Sequence, residues 1–329
     1  MKYKFFINAV ICQSCQFFNR PVILNNLGDV FAHNTFTKKS DSSIVHCQDC
    51  PAAISHKQSI IQQPANLIGK FQWTTDLNVA RNYNELVDIG NYTPDAVSGG
   101  TNDSRVIVGR PVGSFFLVEH SHVDPENGLP VYLDLEGNET YDYNNDIRQY
   151  VGDGLPDLIG GMNNTFRYGN WDLSALATFS IGAKIFDSSA KRQLGVVTGW
   201  NMRDEKLDRW RQPGDIATYP RLTLDETTYS LPSGFPWWNT SLFIFDASYL
   251  RLRNLTLGYN VPLGKDSDLQ NCRIAVNATN VFTITNFPGL DPEVVRDFEN
   301  AQDRNMSPNV TYLTPPQERA FTLSISTNF

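Results

Sequence analysis

The sequence has no run of about 18 apolar residues, so no transmembrane helix is expected. A membrane location stays open, because a barrel strand needs only about 10 residues and alternate ones face the lumen. Ala- and Leu-rich helical runs are also scarce. Basic charge is not in excess: 27 Lys and Arg stand against 35 Asp and Glu, a formal net charge of -8. No basic stripe is visible, which argues against a general nucleic-acid binder. Gly-x-Ser-x-Gly, a phosphate loop and His-Glu-x-x-His are all missing, so three common catalytic signatures are excluded. What is abundant is aromatic: 13 Tyr, 20 Phe and 6 Trp in 329 residues. With frequent Asn and Thr, this is the composition of a β protein, long enough for one large or two ordinary domains.

The clearest strand is at the end. Phe321, Leu323, Ile325 and Phe329 fall on one face, with Thr327 as its only polar member. Thr322, Ser324, Ser326 and Asn328 fall on the other. Such alternation marks a strand with one apolar and one polar side. An apolar face toward lipid, a polar face toward a lumen and an aromatic ring at the interface fit an outer-membrane barrel strand. Asn164–Tyr168 and Trp171–Gly182 read as a hairpin around the two-residue turn Gly169-Asn170. Its second strand places Trp171, Leu173, Ala175, Ala177, Phe179 and Ile181 on one face. Phe71–Val79 alternates too, interrupted at Thr75. Ser248–Asn260 alternates with a phase slip at Arg253-Asn254, which predicts a bulge. Cys272–Phe282 reads as its return strand, and Cys272 as a small strand residue. Residues 187–240, with Trp210, Trp237 and Trp238, read as a long irregular stretch, and residues 83–104 as mostly loop.

Residues 1–65 differ from the remainder, 66–329. The start, Met1-Lys2-Tyr3-Lys4 followed by Phe5–Cys12, has the charge and apolar step of a signal peptide. Asn8 interrupts it, and no Ala-x-Ala site follows. The competing reading is a start codon within a longer gene. Cys12, Cys15, Cys47 and Cys50 form two Cys-x-x-Cys pairs that would suit a zinc knuckle, with His33 and His46 as further candidate ligands. Their 31-residue spacer exceeds the roughly 15–20 of a compact ribbon. Cysteines in a poorly ordered leader are therefore the favoured reading. Asp142, Asn144 and Asp146 match the first calcium-loop positions, but Ile147 stands where Gly is needed and Asp153 where Glu is needed. Polar turns are expected there instead. His120 and His122, at i, i+2 spacing, would share one strand face, a weak metal pair without a third ligand.

Several stretches carry a family resemblance. They are Ala247–Tyr259 (ASYLRLRNLTLGY), Asn277–Phe282 (NATNVF), Gly289–Glu293 (GLDPE), Val108–Phe115 (VGRPVGSF), and Gly152–Asp157 with Asn164–Tyr168. Together, and in this order, they resemble the C-terminal part of SusC/RagA-type TonB-linked outer-membrane proteins of Bacteroidetes. The resemblance covers about residues 66–329. It implies an all-β fold: a partial antiparallel transmembrane β-barrel with long extracellular loops, located in the cell outer membrane. It also implies TonB as partner through a plug domain, a SusD-like surface lipoprotein as lid, and import of glycans or peptides. The plug, the TonB box and the first half of the barrel lie outside this sequence. The chain is therefore expected to be a transporter fragment, not an importer by itself.

Two other readings compete. A soluble or surface β-sandwich carbohydrate-binding module would use Trp210, Trp237 and Trp238 as stacking platforms, though ordinary loop packing accounts for them equally. An enzyme would use Asp204-Glu205 or Asp291 and Glu293 as glycosidase acids, but sequence does not give the separation that mechanism requires. The reading is non-enzymatic, with no catalytic, cofactor or metal residue assigned.

Overall fold

The computed structural model describes residues 40–45, 52–68, 70–91, 98–99, 103–195, 199–230, 238–264, 269–296 and 307–328. Cys12, Cys15, Cys47, Cys50, His33, His46, Trp237 and Phe329 lie outside them. The described residues fold almost entirely as antiparallel β-structure, with one short helix, Ala190–Gln193.

One sheet has eight strands. In chain order these are β1 (Ser40–Val45), β2 (Ala52–Ile68), β3 (Phe71–Leu86), β4 (Leu158–Tyr168), β5 (Trp171–Ile181), β6 (Tyr249–Asn260), β7 (Asn271–Thr285) and β8 (Ala320–Asn328). Each pairs antiparallel with its chain neighbours, so the sheet is a simple meander and is open between β1 and β8. Residue 66, where composition divides the chain, falls within β2, which pairs with β3 from Ala52↔Leu86 to Ile68↔Phe71.

The connections are unequal. Residues 69–70, 169–170 and 261–270 join strands at one end of the sheet; residues 87–157, 182–248 and 286–319 join them at the other. Gly169 supports the tight β4–β5 turn with φ +58°, a conformation that costs an ordinary side chain energy. The predicted bulge is present: β6 shifts register against β7 between Leu252 and Asn254, and Arg253 is the unpaired residue. β3 runs on to Leu86, beyond the strand expected at 71–79.

The three long connections are not loose loops. They build two small sheets around strand Ser114–Val123 and strand Lys184–Asp187. Between them lies a core of Phe115, Leu117, Val118, Tyr132, Phe186, Leu194, Tyr229, Trp238, Phe243 and Val310. These residues come from all three connections. The stretch expected to be irregular, 187–240, thus contributes Leu194, Tyr219, Tyr229 and Trp238 to a close-packed interior.

Candidate functional site

The sheet has two chemically distinct faces, and pairing register fixes which residue lies on which. Directly opposed residues share a face. On one face, Trp73, Phe166, Leu173, Leu257, Val276 and Leu323 form a single row across six strands. The row nearer the short turns is Phe71, Tyr168, Trp171, Tyr259, Ile274 and Ile325, and it is aromatic on its first four strands. Trp171 and Tyr259 rest against each other at 4.5 Å. Leu250, Phe282 and Ile284 continue the apolar face toward the long connections and stay substantially exposed. Thr75 and Asn164 are the polar pair within this band. The Trp73 indole N–H donates to Asn164 Oδ1 at 3.1 Å, and the ring stacks on Phe166. β5 extends from Trp171 to Ile181. At about 3.4 Å per residue and a tilt near 45°, that run gives an apolar band about 25 Å tall, the height of a transmembrane barrel.

The opposite face is polar. One row is Thr74, Thr165, Ser174, Thr256, Asn277 and Thr322; another is Gln72, Arg167, Asp172, Gly258, Ala275 and Ser324. Arg273 reaches from β7 across β6 to Asp172 on β5, with Nη2 donating to Oδ2 at 2.7 Å and Nη1 to Oδ1. Gly258 makes this crossing possible: a Cβ there would overlap the Arg273 guanidinium. At the short-turn end the face opens into a groove of about 380 Å³, lined by Arg167, Gly169, Trp171, Asp172, Asn260 and Arg273. A second groove of about 150 Å³ is lined by Gln72, Thr74, Thr165 and Arg167.

At the other end of β6 the wall is clipped to the third long connection. Arg251 Nη2 donates to Asp291 Oδ1 at 2.6 Å, and both side chains are buried. Arg251 Nη1 lies 3.0 Å from Glu293 Oε2, and Arg253, freed by the bulge, pairs with Glu293 Oε1. Asp291 also accepts the Glu293 and Gln317 backbone N–H groups, both at 3.0 Å. Burial pushes the Asp291 carboxyl up, but Arg251 and these two N–H groups outweigh it and hold the group below its usual value. One carboxylate thus draws residues 293 and 317 together, closing the neck of a loop. The tip of that loop, Val310–Thr311, pairs with strand Lys184–Asp187.

The other residues nominated from sequence have structural places. His120 and His122 do not share a face: a register shift between them pairs His120 with Tyr132 and His122 with Val131, residues of opposite orientation. This corrects the expectation, and the cause is the extra residue Ser121, which i, i+2 counting misses. Burial, and then His122, lowers His120 to about 4. Among the described residues no group of three or more His, Cys, Asp or Glu is arranged to hold a metal. Asn144 Oδ1 accepts the Asp146 N–H at a short 3₁₀ turn, and Asp134 Oδ1 accepts the Glu136 and Asn138 N–H groups. The acidic run there is built of side-chain-closed turns. Trp210 covers Gly128, where φ is +72° and a Cβ would overlap the ring, and its N–H donates to Pro125 O at 2.7 Å. Trp238 is buried at the centre of the loop core. Neither ring offers a free face for stacking. Asp204 and Glu205 open a 3₁₀ turn, and Cys272 is a free cysteine opposite Thr327 on the apolar side. Sequence reading missed the loop core and the Arg273–Asp172 bridge. The signal for the bridge was Gly258 inside a strand pattern.

No family model matches the chain. It is 29% identical over 283 residues to TonB-dependent receptor P3 of Formosa agariphila, covering 79% of this chain and 27% of that protein. It is 26% identical over 240 residues to TonB-dependent receptor SusC of Bacteroides thetaiotaomicron, covering 68% of this chain and 22% of SusC. In fold it is similar to the RagAB peptide importer in its open-open state, with a TM-score of 0.66, 17% identity, and coverage of 84% of this chain and 29% of the importer chain. The closed-closed state gives a TM-score of 0.63 at 18% identity. The chain spans about a quarter of the length of the curated relatives it matches.

Proposed function

We propose, the chain being a relative of SusC-type TonB-dependent receptors, that it forms one arc of the wall of an outer-membrane transporter barrel. The observation that carries this reading is the two-faced sheet: an apolar band rimmed by Phe71, Tyr168, Trp171 and Tyr259, backed by a polar face of Thr, Ser and Asn. The apolar face meets lipid, and the polar face lines the lumen. The short turns lie on the periplasmic side, and the folded long connections form an extracellular layer. The full barrel imports glycans or peptides with TonB as energy source and a SusD-like lipoprotein as lid, and this arc supplies wall and loop layer only. Residues 66–329 are the C-terminal part of that barrel, and residues 1–65 are a leader of different origin. The role is not enzymatic: Asp291 and Glu293 are occupied by Arg251 and Arg253. A soluble sugar-binding module is disfavoured because Trp210 and Trp238 are packed against protein.

The test is to fold the chain into lipid vesicles and digest with protease. Strands β3–β8 are expected to survive as membrane-embedded fragments after carbonate washing. Release of the intact chain into the soluble fraction contradicts the reading.

A further inference from the structure

The polar face is not uniform. Its middle is neutral, with Ser174, Thr256, Asn277 and Thr322 in one row. Its short-turn end is cationic. There Arg273 is committed to Asp172 through a two-pronged bridge, which neutralises that carboxylate. Arg167, directly opposite Asp172 on β4, is exposed and has no carboxylate of its own among the described residues. Arg167 lines both grooves. The larger one adds the Asn260 amide and the edge of Trp171; the smaller adds Gln72, Thr74 and Thr165, all uncharged hydrogen-bonding groups.

We propose that this end of the polar face is a docking site for a carboxylate-bearing polypeptide segment, with Arg167 as the group that takes the carboxylate. The guanidinium presents a planar fork that matches a carboxylate with two parallel hydrogen bonds. The neutral side chains of the smaller groove pair with the peptide groups that follow in an extended segment. A free small acid would fill one groove and leave the other to water. Positive charge at the site also disfavours a Lys- or Arg-bearing segment. The inference rests on the lumenal reading of the polar face. A segment filling the lumen is held to the wall here by charge, at the end away from the loop layer.

The experiment uses the whole chain folded in detergent micelles and two synthetic probes, Ac-Gly-Glu-Gly-Gln-Gly-NH₂ and the same peptide with Glu replaced by Gln. Saturation-transfer NMR is expected to detect the Glu peptide and not the Gln peptide, with the signal falling as salt is raised. Arg167→Gln is expected to weaken Glu-peptide binding about tenfold, and Arg167→Glu to abolish it. Arg167 is exposed, so both variants are expected to fold, checked by heat-modified gel mobility. Equal binding of the two peptides, or binding unchanged in Arg167→Gln, overturns the proposal. Vesicle insertion is measured on the same preparations. A chain that inserts but does not discriminate the peptides refutes the docking site alone, and a chain that does not insert refutes the wall reading beneath it.

Discussion

In the wall, Phe321, Leu323 and Ile325 leave 71%, 67% and 67% of their surface uncovered by protein, whereas in the loop layer Phe115, Phe186 and Phe243 are fully covered. Both regions are apolar, aromatic and regular in their alternation, and they differ in what they exclude. The loop layer excludes water by packing side chain on side chain, as any globular interior does. The wall spreads its apolar residues in one layer that no protein covers, which in water would be an aggregation surface. It becomes stable when the surrounding solvent is lipid. The polar groups follow the same division. In the loop layer the Asp187 carboxylate is spent on the Ser189 and Ala190 N–H groups and on Arg203. On the wall the polar residues form rows facing a lumen.

Breaking the loop layer is expected to have the largest effect. Trp238→Ala removes a buried ring packed on Tyr132, Tyr229 and Phe243. It should cost about 3–5 kcal/mol of loop-layer stability, read by denaturant titration. Protease protection of the wall strands in vesicles should stay unchanged. Next comes a paired substitution on β5. Ala175→Arg puts a charge on the lipid side and should cost about 2–4 kcal/mol in urea unfolding from vesicles. Ser174→Arg, its neighbour on the polar side, should cost far less. Equal costs would remove the distinction between the faces. Gly128→Ala comes third: it forces a Cβ against Trp210 at a positive φ and should cost about 1–3 kcal/mol, seen as faster proteolysis of the 124–129 and 208–219 segments.

The smallest effect sharpens the comparison through pH. Lys206 is buried in the loop layer, with Nζ donating to Leu194 O at 2.5 Å. Burial, and then Arg209, lowers it to about 7 from 10.5. Its folded value lies below its unfolded one, so between about pH 7 and 10.5 the unfolded chain binds more protons and loop-layer stability rises with pH. Below about 7 both states are protonated, and the burial penalty is fully present. Lys206→Met should flatten that rise in a thermal-unfolding series from pH 7 to 10 and raise stability at pH 7. A slope unchanged in the variant would remove Lys206 from the account.

What sequence made legible divides along the same line. Wall strands carry their own evidence, because each alternates within about 10 residues and faces a uniform environment. The β4–β5 hairpin, its Gly169-Asn170 turn, the faces of β8 and the slip at Arg253 were all readable this way. So was the pairing of long connections with one end and short turns with the other. The loop layer was not readable, because its core is assembled from residues as far apart as Phe115, Trp238 and Val310, none of which lies in a periodic run with the others. The Arg251–Asp291 clip joined two stretches that resemblance had marked separately. Its chemistry appeared only when β6 and the neck of the third connection were brought together. The Arg167 grooves needed register: one residue from each of several strands, fixed by pairing and invisible in any single strand.

The most direct test of the two-faced wall is site-directed spin labelling along β5, from Asp172 to Ser180, with the chain in lipid vesicles and Cys272 replaced by Ser. Accessibility to oxygen, which partitions into lipid, should peak at Leu173, Ala175, Ala177 and Phe179. Accessibility to a water-soluble nickel chelate should peak at Asp172, Ser174, Leu176 and Thr178. A two-residue alternation in that phase is the predicted result. Uniform aqueous accessibility along the strand, or alternation in the opposite phase, would contradict it.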